Sequence, residues 1–175
     1  VYSWGDGSLG QLGRTITNTN TNTSTLYDGT PLKVNSPVGV TRFTQVIAGG
    51  DNSLGLGSDG NFYSWGDNTY GQLGRTPTSA TPANRPGKVT MPAGITITQV
   101  RTEGGYLGGF TLSLGSDGNL YSWGSNSTGQ LARTPTSATP ANRPGMVAFP
   151  ESPRPTGVSF GGTAGTNLTD NKDGT

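Results

Sequence analysis

Short runs of alternating apolar and polar residues, each closed by glycines, follow one another along the chain. In SLGLG, Leu54 and Leu56 point to one face of an extended segment, and in NFYSWG, Tyr63 and Trp65 share a face. The letters SDGN between the two segments are typical of a tight hairpin, because Asp-Gly accepts the positive φ of a two-residue turn. The pattern therefore predicts antiparallel strands joined by short turns.

One such pattern is written three times, as VYSWGDGSLGQLGRT from Val1, FYSWGDNTYGQLGRT from Phe62 and LYSWGSNSTGQLART from Leu120. The tryptophans of the three copies are 61 and 58 residues apart. A period of that length is typical of propeller blades, which bury their apolar faces only by stacking on one another. The sequence predicts an all-β fold, a partial β-propeller with a truncated C-terminal β segment.

The repeat positions set the expected domain boundaries. We expect two nearly complete four-stranded blades and a half blade of a seven-bladed ring, the half blade having its outer strand at residues 32–34. At about 50 residues per blade a ring needs more chain than this, so we expect a piece of a longer product whose open faces could self-associate. The expected segments are propeller blades at 1–150 (1–42, 43–92 and 93–150), a linker at 151–156 and the start of another β domain at 157–175.

Composition narrows the chemistry. Only 29% of the residues are hydrophobic, with 30 Gly and 12 Pro, and helices tolerate neither in quantity. The net charge of +1 and the lack of any long apolar run predict neither nucleic-acid binding nor membrane insertion. The chain has no His and no Cys, so it lacks the usual catalytic base and thiolate ligands. We therefore expect no bound metal, no cofactor and no enzymatic activity.

A connection of 13 letters, RTPTSATPANRPG, occurs identically at residues 75–87 and 133–145. Connections normally vary, so identity suggests that both blades present the same surface to a partner. The alternative is recent duplication of a blade with no selection on the loop. On the first interpretation the partner contacts include Arg75, Arg85, Arg133 and Arg143, although the periodic recurrence of Arg14, Arg75 and Arg133 also fits a structural role.

The last copy carries an enlarged loop between its first two strands. The stretch from Val100 to Asp117 is four residues longer than the matching stretch of the preceding copy, and it contains Glu103, Tyr106 and Phe110. A charged residue beside aromatics on an enlarged loop predicts a recognition site. A solvated loop charge is the alternative.

Six aromatic residues recur at matching places in the YSWG strands, the sixth beside those given below being Tyr2. Packing between blades is the expected role, because facing sheets bury large aromatics; an aromatic platform for a ligand is the alternative. These core candidates are Trp4, Trp65, Trp123, Tyr63 and Tyr121.

The stretch AGGDNSLGLGSDGNFYSWGDNTYGQLG, residues 48–74, resembles the repeat of the regulator of chromosome condensation family. The resemblance implies a seven-bladed propeller that binds partners through the loops on its faces. Asn52 stands where the family usually has His. Bacterial proteins of similar sequence are secreted or surface-attached, which implies an extracellular or cell-surface location. The segment 157–175 resembles the start of an immunoglobulin-like module of bacterial surface proteins.

These observations favour a non-catalytic scaffold that presents loops to a protein or a cell-surface glycan at a bacterial surface. One alternative that the resemblance implies is a regulator of a small GTPase similar to a guanine-nucleotide exchange factor. A glycan-degrading enzyme is the other, and it would need a pair of carboxylates.

Overall fold

A computed structural model describes residues 1–16, 26–104 and 108–150. All regular structure in these residues is β, as the sequence predicts. The predicted linker at 151–156 and the predicted immunoglobulin-like start at 157–175 lie outside them. The strands are β1 (Tyr2–Asp6), β2 (Tyr27–Lys33), β3 (Phe43–Ala48), β4 (Asn52–Gly57), β5 (Phe62–Gly66), β6 (Gly87–Lys88), β7 (Ile97–Glu103), β8 (Phe110–Gly115), β9 (Leu120–Gly124) and β10 (Gly145–Met146).

The strands form three antiparallel sheets in which neighbours in sequence are neighbours in space. β1 pairs with β2, β3 to β6 form the second sheet, and β7 to β10 form the third. The two four-stranded sheets share their register, since Leu54 pairs with Ser64 in one and Leu112 with Ser122 in the other. A four-stranded meander of this kind is a propeller blade, so the prediction of a partial propeller is confirmed.

The turn between the second and third strands of each blade explains the repeated SDGN. Gly60 has a φ of +80°, and the Asp59 carboxylate accepts hydrogen bonds from the Asn61 amide at 3.2 Å and the Tyr63 hydroxyl at 2.7 Å. Asp117 does the same for its own blade. The aspartate closes the turn and fixes the neighbouring tyrosine.

The first sheet differs from its prediction in one strand. β2 begins at Tyr27, five residues before the segment that the sequence indicates. Gly29 and Pro31 interrupt the apolar pattern there, which hides the strand. Pro31 is tolerated because β2 pairs on one side only, and an edge strand can hold a residue without an amide proton.

Two hydrophobic clusters lie at the junctions of the sheets. The cluster between the first and second sheets contains Val34, Val40, Phe43, Tyr63 and Trp65. The cluster between the second and third contains Leu54, Phe62, Val89, Ile97, Val100, Tyr121 and Trp123.

Two of the three repeated tryptophans are buried in these clusters. Trp65 is 3% exposed and Trp123 is fully buried, and each indole Nε1 donates to a backbone carbonyl of the preceding repeat, Gln11 or Gln72, at 2.9 Å. Trp4 departs from the predicted core role, because 60% of it is exposed. The other two indoles pack on the preceding sheet, and the described chain has no sheet before β1.

Candidate functional site

The predicted partner-binding segments lie on one side of the fold, which we call the loop face. Because the strands are antiparallel, alternate connections lie at the same end of the strands. These are the connections β3–β4, β5–β6, β7–β8 and β9–β10. These connections contain both copies of the 13-residue segment and the enlarged loop. The backbone of Gly104 approaches Gly50, which brings the enlarged loop against its neighbour.

Arg75 holds its loop together from the inside. It is 3% exposed, and its guanidinium donates to the backbone carbonyls of Thr81 at 2.9 Å, Pro82 at 3.1 Å and Arg85 at 2.9 Å. Nε donates to the Ser64 carbonyl on β5. Burial lowers the pKa of the guanidinium to about 10. Its side chain therefore presents almost no surface to a partner, which favours the structural interpretation of this arginine.

Arg133 repeats the arrangement in the next blade. It donates to the carbonyls of Thr139 at 2.8 Å, Pro140 at 3.2 Å and Arg143 at 2.9 Å. The two loops are therefore identical in sequence, and in each the arginine binds the same three loop carbonyls. Burial lowers the pKa of Arg133 as well.

Arg14 occupies the same position in the first repeat but has a different partner. Its guanidinium forms a buried ion pair with Asp28 at 2.9 Å and also donates to the Ser3 carbonyl. In the first repeat a carboxylate of β2 is therefore among the acceptors of this arginine.

The other two predicted arginines lie at the surface of the loops. Arg85 is exposed, and Arg143 is half-buried with a donor bond from its guanidinium to the Thr76 hydroxyl of the neighbouring loop at 3.1 Å. The hydroxyls of Thr78 and Thr81 bond each other at 3.0 Å within the loop, as their counterparts in the second loop do. The loops are therefore internally fixed and joined to each other.

The enlarged loop supplies an acidic and aromatic margin to this surface. Glu103 is exposed at the end of β7, and Phe110 is half-buried at the start of β8. Tyr106 lies outside the described residues. The sequence interpretation did not single out Tyr70, which is 47% exposed and lies beside Gly108 of the enlarged loop. The sequence feature that could have identified Tyr70 is the aromatic residue itself, because the equivalent positions of the other repeats are Leu9 and Thr128.

Two further findings concern metal and membrane. Among residues 1–16, 26–104 and 108–150, no group of three or more His, Cys, Asp or Glu is placed to hold a metal ion. Within the same ranges no helix is long and apolar enough to cross a membrane.

Known structures share this fold. The crystal structure of human WBSCR16 aligns with a TM-score of 0.64 and 30% identity, covering 85% of this chain and 34% of that one. Yeast RCC1 (Prp20), solved bound to Kap60, aligns with a TM-score of 0.58 and 21% identity, covering 83% of this chain and 33% of that one.

A curated relative corrects the expectation that this is not an enzyme. The probable E3 ubiquitin-protein ligase HERC6 of Homo sapiens is 38% identical over 139 residues, which are 75% of this chain and 12% of the ligase. The repeats thus occur in a protein that is itself named as an enzyme. The absence of His and Cys describes this stretch of chain, and it does not decide the activity of a protein that contains such repeats.

The repeat pattern itself is matched along most of the sequence. The pattern of the regulator of chromosome condensation (RCC1) repeat matches residues 1–56, 59–102 and 117–164. The third match runs beyond the predicted blade boundary, through the predicted linker and into the predicted immunoglobulin-like segment. With its three sheets in the order of propeller blades and the repeat matched over most of its length, the chain belongs to the RCC1 repeat family.

Proposed function

We propose that this chain is a protein-binding module whose partner docks on the loop face. The observation that carries the proposal is the pair of identical loops, which are joined through Arg143 and Thr76. Each loop is fixed by an arginine, Arg75 (buried) or Arg133 (half-buried), that binds its backbone carbonyls. A surface that is already ordered loses little conformational entropy on binding, so it suits recognition. Yeast RCC1, which shares the fold, has been solved with a protein partner, Kap60, and this supports a protein as the class of ligand.

The exposed groups indicate where the contact energy lies. Arg85, Tyr70 and Glu103 are exposed on this face, and arginine and tyrosine are the residue types enriched at binding hot spots. Arg75 and Arg133 act from below by holding the loops, so we assign them a positioning role. A glycan ligand, a bacterial cell-surface location, the lack of nucleic-acid binding and the GTPase-regulator alternative stay predictions from the sequence.

Site-specific photo-crosslinking tests which face the partner uses. A photoactivatable side chain is placed at Tyr70 or Arg85 on the loop face, or at Asn61 or Asn119 in the turns of the opposite face. Proteins captured from cells of the source organism are identified by mass spectrometry and then purified. We expect capture from the loop-face positions, and equal capture of the same protein from the opposite turns would contradict the proposal.

The affinity for the captured protein is then measured with paired variants. Replacing Arg85 and Arg143 by Ser should weaken binding about tenfold or more, since arginines at the surface of a contact centre are common hot spots. Replacing Lys33 and Lys88 by Ser removes the same charge from the strands β2 and β6 and serves as the control. Equal affinities of the two double variants would place the site elsewhere.

A further inference from the structure

The tight turn that follows each YSWG strand is built in the same way three times, with one change of residue. An amide closes the turn on a glycine carbonyl three positions earlier: Gly13 on Gly10 at 3.0 Å, Gly74 on Gly71 at 3.1 Å and Ala132 on Gly129 at 2.9 Å. The φ angles are +66°, +63° and +50°. Among the residues that the structure describes, Ala132 is the one non-glycine with positive φ. Alanine is strained there, whereas glycine is not.

In the first two repeats this glycine is needed for a reason other than its φ. A Cβ at Gly13 would lie 2.7 Å from the indole nitrogen of Trp65, and a Cβ at Gly74 would lie 2.6 Å from that of Trp123. The same indole nitrogens donate to the carbonyls of Gln11 and Gln72. We call the Gln carbonyl and the small residue two positions later a tryptophan seat.

The third seat consists of Gln130 and Ala132, and it is blocked. Because the turn repeats the backbone bonds of the other two, the methyl group of Ala132 stands where an indole would lie. The replacement of glycine by alanine affects only the seat, because the neighbouring glycine of the turn is retained. Gly10 and Gly71 receive Asn84 and Asn142 of the following blade, and the equivalent Gly129 is still glycine with open space beside it.

We propose that Ala132 closes the third tryptophan seat, so that this side of the third sheet does not accept a tryptophan-bearing blade, in particular Trp4 of a second copy of the chain. In the described residues the first and third sheets are otherwise complementary, since Trp4 is 60% exposed and the third sheet retains the glutamine and the loop-docking glycine. Contact between two different ends repeats from copy to copy and builds rings or open filaments. Ala132 determines that this contact is not made.

Sedimentation velocity of the purified chain over a range of concentrations tests the proposal. The variant Ala132→Gly should raise the head-to-tail association constant about tenfold or more over the unmodified chain, because it recovers an indole hydrogen bond and the burial of a large ring. Adding Trp4→Phe, which removes the indole donor at an exposed position, should reverse most of that gain.

Two controls separate the seat from general effects of glycine. Ala132→Ser keeps a Cβ in the seat and should associate like the unmodified chain, and Ala148→Gly introduces glycine at another exposed alanine of the same blade. Equal association of Ala132→Gly and the unmodified chain would overturn the proposal. A gain that persists with Trp4→Phe, or that Ala148→Gly reproduces, would also overturn it.

Discussion

At the scale of single residues, three copies of one tryptophan have two environments. Trp65 and Trp123 are buried against the preceding sheet and bonded to its backbone, whereas Trp4 is largely exposed. The size of the indole sets the largest stabilisation that its burial can give. The neighbouring sheet determines how much of the ring is buried, and so how much of that stabilisation is obtained.

Trp65→Ala should therefore lower the free energy of unfolding by about 3–5 kcal/mol, as truncation of a large buried aromatic does. Trp4→Ala should cost about 1 kcal/mol or less, because surface substitutions change stability little. Urea denaturation of both variants compares them directly. Equal losses would mean that Trp4 is covered in solution.

A second residue-scale prediction concerns alkaline pH. Burial and then the hydrogen bond to Asp59 raise the pKa of Tyr63 from 10.0 to about 12. Between these values the unfolded chain has lost this proton and the folded chain has kept it, so stability falls as pH rises from about 10 to about 12. Tyr63→Phe should lose less stability than the unmodified chain between pH 9 and pH 11.

Denaturation at those two pH values is the measurement, and Tyr2→Phe, an exposed tyrosine of the first sheet, is the control. Arg75, whose pKa burial lowers, acts in the opposite direction in this range, but it is common to all three proteins. A pH dependence of Tyr63→Phe as steep as that of the unmodified chain would contradict the assignment.

At the scale of elements, the two identical loops at 75–87 and 133–145 are each ordered by one side chain, Arg75 or Arg133, which also binds the adjacent strand. Few of their own apolar groups are buried, and a loop of this composition has little else to fix it. The guanidinium of the arginine donates hydrogen bonds to backbone carbonyls at three places along the loop. Without it these carbonyls would converge with no hydrogen-bond donor between them.

Arg75→Met keeps an unbranched side chain that reaches about as far as Nε, and it removes those donors. The amides of Gly66 and Arg85, which bond to the carbonyls of Ala83 and Pro82, should then exchange with solvent about tenfold faster or more. The identical loop with Arg133 remains intact in the same molecule and provides the internal reference through Gly124 and Arg143. Hydrogen exchange followed by NMR resolves the two loops, and unchanged rates in the first would show that its order has another source.

At the scale of the molecule, the sheets form a row in which each packs on its neighbours. Among the residues that the structure describes, the second sheet has a cluster on each side, whereas the first has two strands and a cluster on one side only. In such arrays stability is close to a sum of unit and neighbour contributions, so it differs along the chain.

Amide protons in β1 and β2 should therefore exchange faster than those in β4, β5, β8 and β9, with opening free energies lower by about 2 kcal/mol or more. Native-state hydrogen exchange measures these values strand by strand. Uniform protection over all strands would mean that the chain opens only as a whole, or that another copy covers the first sheet.

Much of the strand pattern could be predicted from the sequence, because it depends on local rules that repeats amplify. The SDGN turns, the alternation in β4 and β5 and the enlarged connection before Phe110 follow from residue type and spacing alone. β2 could not be placed, since Gly29 and Pro31 conceal a strand whose order comes from pairing with β1. Tyr70 could not be assigned to the loop face from sequence, because its neighbour Gly108 is distant in sequence.

The sequence by itself therefore determined the class of fold, the repeat family and the segments that carry the loop face. Only the tertiary structure decided which arginines hold the loops and which face solvent, since Arg75 and Arg85 share one segment and differ in burial. It also decided that Trp4 is exposed and that Ala132 occupies a tryptophan seat. These properties depend on what an adjacent sheet places within a few ångströms of a side chain, and no local pattern contains that information.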